Sequence, residues 1–295
     1  MDLNWLEDYL ALAETLSFSR GAAQRHVTQP AFSRRIRALE GWVGAPLFLR
    51  TTHQVALTPA GEHFQAQAEI LVRALHQLRR DTLEAARKGA PPLSIAATHA
   101  LSFTFFPKWI RRTDAAARLG SLNLVSDSLQ ACEQMMIRGD VTFLLCHVHP
   151  SMATRLDGRP FRSIVAGHDV LVPLSAPDDN GAPRWALGGA TPPRYLGYSD
   201  QSGLGRILAG TREAAGDGPA LQPVFTSHLA ATLQSMARNG DGLAWLPQTL
   251  AEEDVAAGLL VEAGGAEHRV PVEIRLFRPV SRQSEAAEAF WAAFA

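Results

Sequence analysis

Apolar positions recur at helical spacing over the first ninety residues and change to short continuous runs after them. Leu6, Tyr9, Leu10, Ala13 and Leu16 share one face of a helix predicted over 3–16, with Glu7, Asp8 and Glu14 off that stripe. Ser17 or Ser19 can cap a second, short helix in which Ala22 and Ala23 face inward and let a neighbouring helix approach. Val27 packs in the turn that follows. Thr28 then caps a third helix, with Pro30 near its first turn, where a missing N–H costs nothing. On a helical wheel Phe32, Ile36, Leu39 and Val43 fall within about 60° of one another and make the buried stripe.

Leu47 and Phe48, a polar tip at 51–54 and the alternating Val55 and Leu57 predict a two-stranded wing. From 59 to 88, Phe64, Ala68, Leu71, Leu75, Leu78, Thr82 and Ala85 advance by alternating steps of four and three, the seam of a coiled coil that would pair two chains. "KGAPP" at 88–92 is a boundary, since glycine ends the helix and two prolines forbid its continuation.

Beyond it "LSIAAT", "LNLVS" and "VTFLLC" read as buried strands, alternating with helices that start near His99–Ser102 and run from about Ser128 to Arg138. A second set opens near Ser163: "DVLVPLS", a helix near 203–215, "LQPVFTS", a helix from His228 to Asn239 and "GLAWLP". "PVEIRLFR" and a helix over 284–295 return the chain. Strands alternating with helices predict parallel sheets with crossovers. The division expected is a winged helix-turn-helix over 1–58, a linker helix over 59–89 and an α/β region over 90–295. That region holds one subdomain from 91–163 with 268–295 and another from 164–267.

Charge changes this picture. The 295 residues carry a net charge of −1, yet 18–58 hold six arginines (20, 25, 34, 35, 37 and 50) against one acid, Glu40. That segment is therefore +5 and the remainder −6. On the third helix Ser33, Arg34 and Arg37 point away from the apolar stripe, Gln29 and Pro30 stand at its N-terminal end, and Arg35 lies beside the stripe as a structural ion-pair partner. Such a face can enter a DNA major groove, its N-terminal residues reaching base edges and its guanidinium groups reaching phosphates or guanine. Arg50, Thr51 and His53 sit at the base and tip of the wing, although His53 also reads as an ordinary exposed loop histidine.

The run "SFSRGAAQRHVTQPAFSRRIRALEGWVGAPLFLRT" followed by "LTPAGEHF" resembles the winged helix-turn-helix of the LysR-type transcriptional regulators, over residues 3 to about 88. The resemblance implies DNA contacts at Thr28, Gln29, Pro30, Ser33, Arg34, Arg37 and Arg50. It implies a dimer, or dimer of dimers, joined through the linker helix, with double-stranded DNA and RNA polymerase as partners. The later strands resemble the family's effector domain, similar to periplasmic binding proteins, and "IAATHALSFTFFP", "GYSDQSGLGRIL" and "GLAWLP" resemble the branch that includes the hypochlorite-responsive regulator. Gly21 departs from a usual alanine and should weaken its helix by up to about 1 kcal/mol.

Ligands in such sheets bind where strand C-terminal ends meet helix N-termini, and free N–H groups there favour anions. Four junctions are polar: Thr98 with His99 and Ser102, Ser126 to Ser128, Ser199 to Ser202, and Thr226, Ser227 and His228. Cys146 is the remaining effector candidate. In "CHVHP" a strand puts Cys146 and His147 on opposite faces and no fourth metal ligand is evident, so no metal or cofactor is expected; a buried thiol and two loop histidines is the simpler reading.

The function expected is a sequence-specific transcriptional regulator controlled by a small molecule bound between two subdomains. One alternative senses oxidants through Cys132, Cys146 and the methionines, although Leu204 and Leu229 stand where sulfur would have helped. The others are an α/β enzyme and a non-specific nucleic-acid binder. "GLGRIL" lacks the third glycine of a dinucleotide loop, and no G-x-S-x-G, P-loop or HExxH occurs, so catalysis is not expected. No apolar run approaches the roughly 18 residues of a membrane span. "MDLNWLEDYL" does not read as a secretory signal and two cysteines make no disulfide framework, so a cytoplasmic location is expected.

Overall fold

The computed structural model describes residues 2–50, 54–86, 93–112, 121–152, 154–156, 160–188, 192–215 and 221–294. They form two compact units, one built on the first 89 residues and the other on the bulk of the rest.

The first unit holds α1 (Leu3–Thr15), α2 (Phe18–Gln24), α3 (Gln29–Val43), an antiparallel hairpin of β1 (Phe48–Arg50) and β2 (Val55–Leu57), and the long α4 (Pro59–Ala86). The Asp2 and Ser17 side chains accept the backbone N–H groups of Asn4 and Arg20, so α1 and α2 begin on side-chain caps. Thr28 stands at the corresponding position of α3, but its hydroxyl makes no cap bond, which corrects the capping role read from sequence. His26 takes the left-handed conformation (φ 53°) after α2, and the Val27 N–H then reaches the Ala22 carbonyl at 3.0 Å. This is the bond pattern that closes a helix and turns the chain sharply toward α3.

Leu6, Tyr9, Leu12, Ala22, Phe32, Ile36, Leu39 and Phe48 pack into one core, closed from the far side by Ala68 and Val72 of α4. Three features depart from the expected pattern. Leu16 and Ala23 are exposed: Leu16 caps α1 in a left-handed turn, and adjacent alanines 100° apart cannot both face one core. Asp8 is fully buried, not off the stripe. Phe64 and Ala68, expected in the interchain seam, instead pack on the core of their own unit, which leaves Leu71, Leu75 and Leu78 exposed on α4. Ala85 lies beyond the side chains described.

Two glycines are required by close approach. A Cβ on Gly21 would stand 2.7 Å from Cζ of Phe32, so the residue that lowers helix propensity also admits the ring. A Cβ on Gly61 would collide with the Leu47 carbonyl oxygen. Around it, the Thr58 hydroxyl accepts the Gly61 N–H (2.9 Å) and donates to the Pro46 carbonyl, and the Tyr9 hydroxyl donates to the Gly61 carbonyl at 2.7 Å. The "LTPAG" stretch thus anchors the start of α4 to the wing and to α1.

The second unit begins with β3 (Leu93–Thr98), α5 (His99–Phe103), α6 (Phe106–Trp109), β4 (Leu122–Asp127), α7 (Leu129–Arg138) and β5 (Phe143–Val148). Next come the long β6 (Phe161–Ser175), β7 (Tyr195–Tyr198), α8 (Gly203–Ala215), β8 (Pro223–Ser227), α9 (Ala230–Arg238), β9 (Ala244–Pro247), α10 (Gln248–Ala256), β10 (Val261–Glu262), β11 (Val270–Pro279) and α11 (Glu285–Phe294). The strands β3, β4 and β5 are parallel, as are β7 and β8.

The seven-stranded sheet is nevertheless mixed rather than parallel throughout. β6 and β11 pair antiparallel from Phe161 with Pro279 to Leu171 with Val270, and β5, β9 and β10 join this ribbon antiparallel. The physical reason is that these two strands carry the chain across and back between two lobes, so they run opposite ways. One lobe packs Ile95, Leu101, Phe143, Leu145, Ile274 and Phe290 into its core; the other packs Leu174, Leu196, Leu233, Ala244 and Leu246. At the end of the ribbon Arg278 is fully buried, bonded twice to Glu288 (2.8 and 2.6 Å) and set 5.3 Å from the Trp291 ring. Those bonds, with the Gln283 N–H, hold the Glu288 carboxyl down to about 2.

Candidate functional site

Two groups of residues carry chemistry, one in each unit. In the first, the arginines divide by what they touch. Arg25 bonds Glu7 (2.6 Å) and the buried Asp8 (2.8 Å), and Arg35 reaches the other oxygen of Asp8 at 3.2 Å. These two lock α2 and α3 onto α1, which matches the structural part expected of Arg35. Arg50 bonds Glu40 and lies 5.2 Å from the Phe18 ring centre, while Glu40 also accepts the Leu47 and Phe48 N–H groups. The base of the wing is therefore tied to α3 through Arg50.

Arg34 and Arg37 are different. Both are exposed on the outward face of α3; Arg37 touches the Ser33 hydroxyl at 3.3 Å, and Arg34 has no partner among the described residues. Thr28, Gln29 and Pro30 are exposed at the N-terminal end of the same helix, with Gln29 accepting a long 3.5 Å bond from Ser19. Seven of the nine DNA-contact candidates thus stand on or beside one surface, and Thr51 and His53 lie outside the described residues. Guanidinium groups not neutralised by a carboxylate keep their charge for phosphate or base edges.

In the second unit a cavity of about 30 Å³ opens between the two lobes, lined by Thr98, His99, Asp127, Ser128, Leu129, His147, Ser202, Gly203, Leu204 and His228 among others. Five of the nine effector candidates line it: Thr98, His99, Ser128, Ser202 and His228. Ser102 stands one hydrogen bond behind, its hydroxyl 2.9 Å from that of Ser126, which in turn lies 3.0 Å from Nδ1 of His99. The other three do not reach it. Cys146 is buried on the face of β5 opposite His147, Thr226 is exposed on β8, and the Ser227 hydroxyl accepts the Leu229 N–H. Ser199 lines a separate cavity of about 240 Å³ beside Tyr198 and Arg206.

Hydrogen bonding determines the state of His99. The Ser102 hydroxyl donates to the His99 carbonyl at 2.7 Å, so the Ser126 hydroxyl must donate to Ser102. The Nδ1–H of His99 then donates to Ser126, and neutral His99 keeps its lone pair on Nε2. The His228 ring faces it, 5.6 Å between centres. Burial pulls the His99 pKa down, the Asp127 carboxylate pushes back up, and His228 adds to the lowering.

His147 is a polar lining residue that sequence reading did not place in the cavity, and Asp127 fell within the Ser126–Ser128 junction without being singled out. Asp127 accepts the Ser128 N–H at 2.7 Å, at the start of α7. His147 is almost fully buried, with Nε2 3.6 Å from Asp169, which also accepts the Thr249 hydroxyl (2.6 Å) and the Val170 N–H. The alternation that separated Cys146 from His147 was visible in "LLCHV"; which of the two faced the ligand side was not.

These two surfaces can be set beside known proteins. The chain matches the bacterial regulatory helix-turn-helix proteins of the lysR family over residues 3–62 and the LysR substrate binding domain over 86–295. The chain belongs to the LysR family.

Among this LysR-type protein's relatives is the HTH-type transcriptional regulator YjiE of Escherichia coli K12, 29% identical over 99% of this chain and 93% of that one. Among solved structures, Vibrio fischeri DarR in complex with DNA is 31% identical over 99% of this chain and 97% of its own, with a TM-score of 0.58. Full-length HypT of Salmonella typhimurium, a hypochlorite-specific LysR-type regulator, is 29% identical over the same shares, also with a TM-score of 0.58. This LysR-type chain is therefore a DNA-binding transcriptional regulator with an effector-binding domain. Among its described residues no helix is long and apolar enough to cross a membrane, and no cluster of ligating side chains could hold a metal ion.

Proposed function

We propose that α3 reads DNA through Gln29, Ser33, Arg34 and Arg37, with Arg50 and the wing tip at Thr51 and His53 on the flanking backbone, and that a small molecule in the cavity of the second unit controls this binding. The observation that carries the reading is the uncommitted charge of α3: of the six arginines over 18–58, Arg25, Arg35 and Arg50 bond acids and Arg20 bonds the Thr15 carbonyl, whereas Arg34 and Arg37 on the outward face of α3 reach neither an acid nor a backbone carbonyl among the described residues. A second copy of the chain covers Leu71, Leu75 and Leu78 of α4, which are too exposed for a monomer's helix and keep the four-and-three spacing of an interchain seam. Two-fold pairing presents two α3 helices to half-sites one helical turn, or a multiple, apart. Polymerase contact and a cytoplasmic setting follow from the regulator role.

Footprinting upstream of the protein's own gene tests this. Wild type protects paired half-sites, and Arg34→Ala loses that protection while its binding to random DNA changes little. Equal loss on both kinds of DNA would leave only non-specific binding. Thiol-based oxidant sensing is the poorer reading, because both cysteines are buried and burial pushes the Cys132 thiol up to about 12.

A further inference from the structure

Helix α1 grips the linker helix α4 at two points far apart along it. Near the start of α4 the Tyr9 hydroxyl donates to the Gly61 carbonyl at 2.7 Å. From 61 to 76 an α-helix rises about 22 Å. There Nε2 of His76 lies 3.0 Å from Oε1 of Glu7. The Glu7 carboxylate only accepts, so Nε2 carries the hydrogen. The other oxygen of Glu7 accepts from Arg25 at 2.6 Å, which fixes the direction in which the carboxylate faces. Between the two points Phe64, Ala68 and Val72 pack on the core of the first unit. Ala68, Val72 and His76 stand four residues apart, so His76 continues the buried stripe of α4 with a side chain only 20% exposed. An apolar residue there would serve burial alone. Apolar contact is non-directional and lets two helices roll on each other, whereas a hydrogen bond to a held carboxylate fixes one angle.

We propose that the bond between His76 and Glu7 sets the angle at which the helix-turn-helix head hangs on α4, and through it the half-site spacing that the paired protein accepts. The inference rests on α3 reading DNA and on a second copy covering Leu71, Leu75 and Leu78. Those leucines stand about 100° to 160° round the helix from His76. The partner is thus carried on one side of α4 and the head on the other, and the angle between head and α4 decides how far apart two α3 helices stand. The lever is long enough to matter. A roll of about 10° moves a point about 20 Å away, the width of a head this size, by about 3.5 Å, close to the rise of one base pair. His76 is therefore a positioning residue, which touches no DNA and selects among operators by their geometry.

Gel-shift titration of the full chain tests this. The probes are a duplex that wild type selects from a random-sequence pool, and the same duplex with the gap between its half-sites lengthened or shortened by one and two base pairs. Wild type is expected to lose about tenfold in affinity per base pair of change. His76→Leu keeps the buried stripe without the bond, so it should stay folded and paired while all five duplexes bind within about threefold of one another. His76→Gln, which keeps an N–H donor, restores the wild-type preference. A simple structural role would lower affinity for every duplex alike and leave the preference in place. An unchanged preference in His76→Leu overturns the proposal. So does a flattened preference that His76→Gln fails to restore, or one that comes with a lower melting temperature or with loss of pairing in sedimentation. The readings beneath it fail separately. Arg34→Ala that still binds the selected duplex removes α3 as the reading helix, and wild type that sediments as a single chain removes the pairing. Where both of those hold and His76→Leu behaves as wild type, only the role of His76 falls.

Discussion

The outward face of α3 and the cavity between the two lobes use the same kinds of polar group under opposite rules. On α3 the charges that matter, Arg34 and Arg37, are left without acidic partners among the described residues, while their neighbours Arg25, Arg35 and Arg50 are bound to Glu7, Asp8 and Glu40. In and behind the cavity wall several groups are held by others: Ser102 by the His99 carbonyl, His99 by Ser126, Asp127 by Ser128, Asp169 by Thr249. A polyanion is bound by many contacts that adapt to it, so mobile, unspent guanidinium groups serve. A small ligand must be met by groups already in place, because it offers too few contacts to order them itself.

Substitutions can break or sharpen this contrast. The largest effect is expected at Asp169→Ala, which strands the Thr249 hydroxyl and the Val170 and Thr249 N–H groups in the interior and should cost about 3 kcal/mol in chemical denaturation. Burial alone would raise the Asp169 pKa, but the His147 imidazole, Thr249 and Val170 outweigh it and the net direction is down. A depressed carboxylate stabilises the fold above its unfolded pKa and loses that contribution as pH falls through the folded value. The variant should therefore lose part of the wild-type decline in acid.

Next comes Arg25→Ala, which removes the stronger partner of a fully buried carboxylate but leaves Arg35 on it. A loss of about 2 kcal/mol is expected in thermal unfolding of the first unit, with DNA affinity falling only as far as folding does. Arg34→Ala should do the reverse: stability within about 0.5 kcal/mol of wild type, and operator binding weaker by about 1–3 kcal/mol in a gel-shift titration. Comparable melting of the two variants would erase the distinction between spent and unspent arginines.

The smallest effect is at Gly21. Helix propensity alone favours Gly21→Ala by up to about 1 kcal/mol. The 2.7 Å approach of Phe32 reverses the sign, and a destabilisation of about 1 kcal/mol is expected instead. In a Phe32→Leu background, where the ring tip is gone, the alanine should again be neutral or favourable. A stabilised Gly21→Ala single variant would show that Phe32 shifts at no cost.

The first unit was legible in the sequence because its information is local. Helical spacing placed Phe32, Ile36 and Leu39 inside and Arg34 and Arg37 outside, and a wheel over fifteen residues is enough for that. Even there, the partners of charge were not legible. Asp8 reads from the sequence as a polar position off the apolar stripe, yet it is fully buried, and that burial depends on Arg25 and Arg35 arriving from the end of α2 and from α3.

The cavity lies at the other extreme. Its walls come from four strand–helix junctions and one strand, spread from Thr98 to Ala230, and polar residues at each junction were recognisable as candidates. Choosing among them needed distances. Ser227 and Thr226 stand beside His228 in the chain yet miss the cavity, and Cys146 beside His147 faces the other side of its strand. Periodicity thus settles the exposure of residues along one helix or strand, since that is a property of the local backbone. Which side chains from distant segments share a cavity, and which charges find partners, depends on how sheets and lobes pack, and only the folded chain contains that distance information.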